Sequence, residues 1–297
     1  MKYIFVLNPH AGRKKKGRTV VDLIDQRMKG SSHHYEFAFT TGAGDATQLA
    51  SDAVVEGFDI IVAVGGDGTV NEVASGLIGT NGILGIIPIG SGNGIARSLM
   101  IPLRLDENIK ILLSSKVTTI DVGRINDKFF IGVAGTGFDA LIGSKFQEFG
   151  TRGPIPYFLI GIRQFLIYQP QEYFLKFDDE QIIEKKAIVI VCANTKEYGN
   201  GAIIAPDADP TDGLLDICIV DPLSIYRGVS VASMLFQGTL NKSPYYVHQR
   251  CKSLIITSHS GEMYWHRDGE PDEKEAKLEI RIEPQALHVC SPFAASK

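Results

Sequence analysis

Hydrophobic and polar positions follow two different periods along the first part of the chain. Continuous apolar runs such as YIFVLN, FDIIVAV and ILGIIPIG are typical of strands that are buried on both faces. Between them, RTVVDLIDQRM, DATQLASDAVVEG and TVNEVASGLIG carry apolar residues at the spacing of one helix face. Strand and helix patterns alternate in this way as far as residue 122. The pattern predicts an α/β domain over residues 1–122, with a parallel sheet flanked by helices.

Strand patterns dominate the rest of the chain. A hairpin pattern begins at VTTIDVGR, and a helical region follows at about 138–168. The segments YFLKFD, AIVIVCAN, LLDICIV, SLIITSH, KLEIRI and ALHVC then each have the composition of a strand. We therefore predict a second, mostly antiparallel β domain over residues 123–297, whose last strand can pair with the first domain.

Composition and charge narrow the class of protein. The chain has 297 residues and a formal net charge of −4, which gives no support for nucleic acid as a partner. The first residues, MKYIFVLNPH, read as a strand and not as a signal peptide, and no apolar run reaches the ~20 residues of a membrane span. The four cysteines never form CxxC. We expect reduced thiols in a cytoplasmic protein.

The stretch VGGDGTVNEV (64–73) lies between a predicted buried strand and a predicted helix. Backbone N–H groups at such a junction can face an anion, and the helix dipole adds to the attraction. Similar loops occur in IIPIGSGNG (86–94) and in LNPHAGRKKKG (7–17), where Lys14, Lys15 and Lys16 are candidate phosphate neighbours. Three such loops predict a phosphate site, and an acid there, Asp67, calls for a cation such as Mg²⁺. The alternative is a set of ordinary glycine turns with Asp67 as a helix cap.

Common nucleotide motifs are missing from these loops. The chain lacks GxxxxGK[ST], and its first βα turn lacks GxGxxG, so it is neither a P-loop protein nor a typical dinucleotide-binding dehydrogenase. GGDGTVNE, together with NPHAG and GSGNG, instead resembles the catalytic domain shared by diacylglycerol kinases and sphingosine kinases. NTKEYGNGAIIAPDADPTDGLLDI (194–217) and RDGEP (267–271) resemble the second domain of the same lipid kinases. The resemblance covers nearly the whole chain.

The resemblance implies a kinase that uses ATP and Mg²⁺ to phosphorylate a lipid hydroxyl, with its active site in the cleft between the two domains. The acceptor would be a diacylglycerol-like lipid, a sphingoid base or phosphatidylglycerol. GGDG alone also occurs in NAD kinases and phosphofructokinases, so a kinase with a soluble acceptor is one alternative. A nucleotide- or lipid-binding regulatory module with little activity is another, and ATP binding without phosphoryl transfer would favour it.

The resemblance also assigns roles to individual residues. Asp268 would be the general base, Asp67 the Mg²⁺–ATP contact and Glu270 a support for the metal or the base. Simpler roles are the alternatives: a hairpin turn for Asp268-Gly269, a strand end for Thr40, a helix cap for Ser91 and a favourable helix-dipole contact for Glu72. The positions matched to ATP contacts are Asn8, Thr40, Gly65, Gly66, Asp67, Gly68, Thr69, Asn71, Glu72, Ser91, Gly92 and Asn93.

Two magnesium sites are implied by the same resemblance. Asp67 and Asp121 would bind the catalytic ion, although Asp121 can equally be a strand-end residue. Asp209, Asp212 and the carbonyl of Leu214 would bind a structural ion, with a plain Asp-Gly turn as the alternative. Many bacterial diacylglycerol kinases have an aspartate where this chain has Gly94. This departure puts in doubt one acidic contact to the catalytic ion and weakens the choice of diacylglycerol as acceptor.

The lipid could enter near GPIPYFLIGIRQFLIYQP (153–170), which as a helix would be apolar nearly all round. Such a helix is either packed in the core or faces lipid. We expect transient peripheral binding to a membrane surface without a permanent anchor. Strand edges in the second domain also permit a homodimer.

Overall fold

The computed structural model describes residues 1–9, 20–114, 116–149, 164–165, 167–178 and 181–293. The three lysines of the basic loop lie outside the described residues, as does most of the apolar stretch 153–170. The chain forms two compact units. One comprises Met1–Asp121 and Pro284–Lys297, and the other comprises Val122–Glu283.

The first unit is an α/β sheet. Its strands are β1 (Lys2–Leu7), β2 (His34–Phe39), β3 (Ile60–Gly65) and β4 (Ile83–Pro88). They lie in the order β2-β1-β3-β4, and all neighbours are parallel. Its helices are α1 (Val20–Met28), α2 (Asp45–Val55), α3 (Asp67–Leu77), α4 (Gly94–Ser98) and α5 (Leu105–Ser114). The predicted parallel sheet flanked by helices is confirmed.

Strands β1, β3 and β4 are buried on both faces, which explains their continuous apolar sequences, whereas the edge strand β2 has exposed residues. Successive side chains of a strand point to opposite faces. Tyr3, Phe5 and Leu7 of β1 accordingly share one core cluster with Ile24 and Met28 of α1. The intervening residues of β1 are buried as well. Helices α2 and α3 pack against the strands, and α2 contributes small buried alanines.

The second unit is built mainly of antiparallel strands. Its helices are α6 (Phe138–Phe149), α7 (Ile225–Gln237) and a short 3₁₀ helix (Leu240–Lys242). Strand β5 (Val117–Ile125) enters the unit, and β18 (Lys277–Cys290) leaves it. The strands between them are β6 (Lys128–Phe130), β7 (Val133–Gly137), β8 (Gln171–Phe177), β9 (Gln181–Ala187), β10 (Val189–Ala193), β11 (Glu197–Gly199), β12 (Ala202–Ile203), β13 (Leu215–Val220), β14 (Tyr246–Cys251), β15 (Ser253–Ser258), β16 (Trp265–Arg267) and β17 (Glu270–Pro271).

Most of these strands form a sandwich of two sheets, while β11 and β12 pair only with each other. One has the order β14-β13-β10-β7-β16-β17, and the other contains β15, β8, β9 and the first part of β18. Side chains from both sheets, such as Ile190 and Ile217 from one and Leu175 and Leu254 from the other, share one core cluster. The opposite face of the six-stranded sheet carries a second apolar cluster, to which α7 contributes. The expected antiparallel β domain is confirmed.

The last strand differs from the prediction. KLEIRI and ALHVC belong to one continuous strand, β18, and not to two. Gln285 lies within it at a φ of 51°, and its N–H donates to Oδ1 of Asp121 at 2.7 Å. The carboxylate of Asp121 thus satisfies the backbone N–H of Gln285, whose left-handed φ interrupts the regular strand pairing. The strand therefore continues past Pro284, a residue type that is uncommon inside strands. Beyond it, His288 and Val289 pair in parallel with β4. None of the described helices is long and apolar enough to cross a bilayer.

Candidate active site

The parallel strands of the first unit end at a common level. Leu7 at the end of β1 pairs with Phe39 of β2 and with Val64 of β3, and Gly65 pairs with Pro88 of β4. Open α/β sheets bind their ligands at this carboxyl edge. Asn8, Thr40 and the two described glycine-rich loops follow these strand ends directly. The structure therefore brings together the loops that the sequence analysis matched to ATP contacts, apart from the undescribed basic loop.

The two glycine loops touch through their backbones. A Cβ at Gly90 would lie 2.5 Å from Cα of Gly66, closer than real side chains approach other atoms. The loops also share hydrogen bonds, because the N–H groups of Ile89 and Gly90 both donate to the carbonyl of Gly65, at 2.9 and 3.3 Å. Gly66 is the N-cap of α3 and has no side chain to cap it. The start of α3, where first-turn N–H groups lack an intrahelical acceptor, therefore has backbone chemistry suited to an anion.

Asp67 joins the two loops. Its Oδ2 accepts the N–H of Gly94 and its Oδ1 accepts the N–H of Ile95, both at 3.1 Å. The carboxylate thus caps the N-terminus of α4. Gly94, the position where the family pattern often has an acid, supplies one of these N–H groups. This chain therefore keeps the acid at position 67, and at position 94 it has a backbone N–H donor to that acid instead of a second carboxylate.

Glu72 caps a different neighbouring helix. Its Oε2 accepts the N–H of Ala46 in the first turn of α2 at 3.2 Å. The loop before α2 is ordered by Asp45, whose Oδ2 accepts from the N–H groups of Thr41 and Gly42 and from the Thr41 hydroxyl. The hydrogen bond from the Thr41 hydroxyl contributes most to holding the pKa of Asp45 below its usual value, and the two backbone N–H groups add to it. Both acids of GGDGTVNE therefore order the loops of adjacent βα units.

The polar side chains between these loops differ in their burial and in their hydrogen bonds. Asn93 takes a left-handed φ of 51°, is 7% exposed, and donates from Nδ2 to the carbonyl of Gly90 at 2.9 Å. Its Oδ1 is buried and accepts no hydrogen bond from any described residue. Thr69 and Asn71 are buried, whereas Ser91 is exposed. A buried amide oxygen without a donor costs free energy, so a ligand or ion at Asn93 would be favoured.

Asp121 lies on β5 and is 1% exposed. Its Oδ1 accepts the N–H of Gln285, as described above. This bond accounts for the burial of the carboxylate. Its assignment to the catalytic ion stays a prediction.

The DGE segment of the second unit forms a two-residue hairpin between β16 and β17. Asp268 and Gly269 have φ values of 47° and 82°, and Arg267 pairs with Glu270 across the turn. Positive φ at both central residues is the requirement of the turn type that favours Asp-Gly. Glu270 is exposed at the start of β17. The hairpin suggested by the DG dipeptide is present.

The carboxylate of Asp268 also makes long-range bonds. Its Oδ2 accepts the N–H of Ile131 at 2.9 Å, and its Oδ1 accepts those of Gly132 and Val133 at 2.8 and 3.0 Å. The N–H of Asp268 in turn donates to the carbonyl of Val133 at 2.7 Å. Three charge-assisted bonds favour the ionised form and fix the orientation of the carboxylate.

A neighbouring polar cluster was missed by the sequence analysis. Asp139, in the first turn of α6, accepts the hydroxyl of Tyr198 at 2.8 Å on Oδ2, and Nε2 of His266 lies 2.9 Å from the same oxygen. His266 is 4% exposed, and its Nδ1 has no partner among the described residues. The sequence signal that could have pointed to His266 is its position two residues before Asp268 in WHRDGEP. Nothing in the sequence connects it to Asp139.

The loop DPTDGLLD forms a pair of side-chain turns. Oδ1 of Asp209 accepts the N–H of Thr211 at 3.0 Å and its hydroxyl at 2.6 Å. Oδ1 of Asp212 accepts the N–H of Leu214 at 3.0 Å. These local bonds are those of the plain Asp-Gly turn that the sequence left as an alternative. They also hold carboxylate oxygens, which are hard ligands suited to Mg²⁺, on one short loop.

A cation already faces this loop. Nη2 of Arg250 donates to Oδ2 of Asp212, and Nε of Arg250 lies 3.5 Å from Oδ1 of Asp216. His248 contacts the same oxygen of Asp216 at 2.6 Å. Burial raises the pKa of Asp216, and the His248 hydrogen bond opposes this rise. A magnesium ion at Asp212 would compete with the guanidinium group.

Comparison with known proteins gives the same order of domains. A model of the diacylglycerol kinase catalytic domain matches residues 2–125, and a model described as the YegS C-terminal NAD kinase beta sandwich-like domain matches residues 132–291. A diacylglycerol kinase of Bacillus subtilis strain 168 is 28% identical over 274 residues, which is 89% of this chain and 88% of that protein. One from Mycobacterium tuberculosis H37Rv is 34% identical over 203 residues, or 66% of each chain.

Solved structures support the fold. A crystal structure of a diacylglycerol kinase from Bacillus anthracis strain Sterne superposes with a TM-score of 0.73 at 20% identity, covering 99% of this chain and 98% of that chain. A second structure from the same organism gives a TM-score of 0.79 at 23% identity with the same coverage. At these identities the similarity concerns the fold alone.

Proposed function

The chain belongs to the diacylglycerol kinase family of lipid kinases, and we propose that it transfers the γ-phosphoryl group of ATP to the hydroxyl of a lipid in the presence of Mg²⁺. The observation that carries the ATP assignment is the backbone contact between the loops of Gly66 and Gly90 at the carboxyl edge of the parallel sheet. Only glycine fits there, and phosphate groups need close access to backbone N–H groups. The matched ATP positions, from Asn8 to Asn93, lie along this edge.

The available donors suit a magnesium ion in the first unit. Asp67 offers carboxylate oxygens beside the start of α3, and the buried amide oxygen of Asn93 accepts no hydrogen bond from the described part of the chain. Oxygen ligands from one or two protein groups, completed by phosphate and water, are typical of Mg²⁺ sites. We assign Asp67 to this ion and keep Asp121 as a proposed second ligand. When bound, Mg²⁺ neutralises charge that develops on the transferred phosphoryl group.

On the acceptor side, we propose that Asp268 receives the hydroxyl proton of the lipid. The three N–H donors of residues 131–133 keep its carboxylate ionised and oriented, as a base that must meet a defined hydroxyl requires. Glu270, exposed two residues further on, would support the base or the metal.

The second, structural magnesium site remains part of the proposal. Asp209, Asp212 and the carbonyl of Leu214 would hold the ion, after displacement of Arg250 from Asp212. Such an ion would stabilise the loop and would not touch the phosphoryl group.

For the acceptor, we favour a diacylglycerol-like lipid, because the relatives described above are named diacylglycerol kinases. Sphingoid bases and phosphatidylglycerol offer the same hydroxyl chemistry and remain to be compared.

One observation favours a second candidate, a soluble NAD-like acceptor: the model of the second domain is described as NAD kinase beta sandwich-like. We further propose cytoplasmic location, transient binding to a membrane surface and a possible homodimer.

The decisive experiment is incubation of the purified protein with γ-labelled ATP, Mg²⁺ and detergent-dispersed lipids of each class, followed by extraction into organic solvent. We expect label in one lipid class and a loss of about 10²-fold or more for Asp67→Ala. Asp106→Asn, an exposed acid in the first turn of α5, is the control and should keep full activity. Label that stays in water with every lipid while ATP still binds would reject the lipid acceptor. A parallel incubation with NAD in place of lipid tests the soluble acceptor, which label in NAD would establish.

A further inference from the structure

Helix α7 (Ile225–Gln237) presents apolar side chains to solvent. Tyr226, Val229 and Phe236 are 86%, 68% and 62% exposed, and none of the residues of the helix is buried. Their spacing places all three on one face. Exposed apolar residues that share one face mark an interaction surface more often than single exposed ones do.

The opposite face of α7 is apolar too. Val231, Met234 and Leu235 pack against the outer core cluster of the six-stranded sheet. Apolar side chains thus occur on both faces of the helix, Arg227 is its only charged residue, and its other exposed polar side chains are uncharged Ser and Gln. A helix with an exposed apolar face and no acidic residue suits contact with a membrane surface. At 13 residues, or about 20 Å, α7 is too short for a bilayer core of about 30 Å.

The charge around the helix favours one kind of partner. Residues 222–242 contain two cations, Arg227 and Lys242, and no Asp or Glu, although the whole chain has a formal net charge of −4. Arg227 and Lys242 are exposed, and Lys242 belongs to the 3₁₀ helix that packs against α7. Exposed Tyr and Phe flanked by cations match the interface of an anionic bilayer, where aromatic rings lie at headgroup level.

We propose that the outer face of α7, defined by Tyr226, Val229 and Phe236, docks the protein on the surface of a bilayer that contains anionic lipid. The proposal rests on the proposed function, because a lipid acceptor resides in such a bilayer. The three side chains enter the headgroup region, while Arg227 and Lys242 pair with anionic headgroups. Docking is reversible, since one short helix face buries far less apolar surface than a membrane span.

The test is flotation of the full-length protein with two kinds of vesicle, phosphatidylcholine alone and phosphatidylcholine mixed with phosphatidylglycerol. We expect preferential binding to the anionic vesicles that weakens with added salt. Tyr226→Ser combined with Phe236→Ser should weaken binding by about tenfold or more. Val229→Asp should do the same. Its control is Val55→Asp, because Val55 is an exposed helix valine of the first unit, at 86% exposure against 68% for Val229.

Additional readouts separate the possible failures. Thermal denaturation should show similar stability for all variants, because the substituted side chains are mostly exposed. Activity on a detergent-dispersed acceptor should be unchanged in the α7 variants, and activity on vesicle-borne acceptor should fall with binding.

Wild-type vesicle binding tests the docking surface even if no lipid is phosphorylated. Equal binding by wild type and α7 variants would overturn the proposal, and a loss of dimer without a change in vesicle binding would assign the face to a second copy of the chain.

Discussion

The GGDGTVNE segment of the first unit and the WHRDGEP segment of the second bond to residues at very different distances along the chain. In the first unit, Asp67 bonds to residues 27 and 28 positions away, and Glu72 bonds to Ala46, 26 positions away. In the second unit, Asp268 bonds to residues 135 to 137 positions away, and His266 approaches Asp139 across 127 positions. The first kind of bond joins adjacent βα units, whereas the second joins strands that only the sandwich brings together.

The difference shows why some site features are visible in a sequence and others are not. Consecutive parallel strands end at one edge by rule, so loops after them must be neighbours. Antiparallel strands of a sandwich have no such rule, because their partners depend on the global topology. The following predictions test this comparison.

The largest effect is expected at Asp268. Asp268→Asn removes the proposed base, so we expect kcat to fall by about 10²–10⁴-fold in the labelled-ATP assay. The same change removes an acceptor from residues 131–133 and should lower the free energy of unfolding by about 1–3 kcal/mol.

Asp178→Asn is a matched control for Asp268→Asn. Asp178 also has a left-handed φ, 39°, and also accepts backbone N–H groups of a distant loop, at Lys252 and Ser253. It should lose stability but keep activity. If both variants keep full activity, the long-range bonds of Asp268 serve only the fold.

A smaller effect is expected at Gly90. In Gly90→Ala the new Cβ meets Cα of Gly66, so the two loops must separate, at a cost of about 1–3 kcal/mol in the free energy of unfolding. ATP binding should weaken in parallel, measured by calorimetry. Gly42→Ala is the control, since no atom lies within 4 Å of a Cβ at that position. Equal stability and ATP affinity of the two variants would show that the loop contact is dispensable.

The smallest effect is expected at the loop of Asp209 and Asp212. Saturation with Mg²⁺ at ten times the Kd should stabilise the protein by about 1.4 kcal/mol, measured by thermal denaturation with and without chelator. Arg250→Met removes the competing cation and should enlarge this shift, while Lys252→Met, an exposed cation two residues away, should not. Asp212→Asn should abolish the part of the shift that belongs to this loop. An identical shift in all four proteins would place the stabilising ion elsewhere.

Much of the first unit follows from the sequence. The apolar strands, the helices between them and the three glycine loops are local patterns, and the parallel order of the sheet makes the described loops meet. The antiparallel character of the second unit was equally predictable, as was the Asp268–Gly269 hairpin, because DG carries its own turn preference. The motifs also sufficed to place the chain among the lipid kinases.

Tertiary structure decided the contacts of the polar side chains. No local pattern shows that Asp67 caps α4, that Arg250 faces Asp212, or that Asp139 lies between Tyr198 and His266. The same holds for the exposed face of α7, since apolar residues occur on both faces of the helix and only packing leaves Tyr226 in solvent. Local sequence determines which backbone conformations are favourable, whereas the partner of a buried or exposed side chain depends on strands and helices that are distant along the chain.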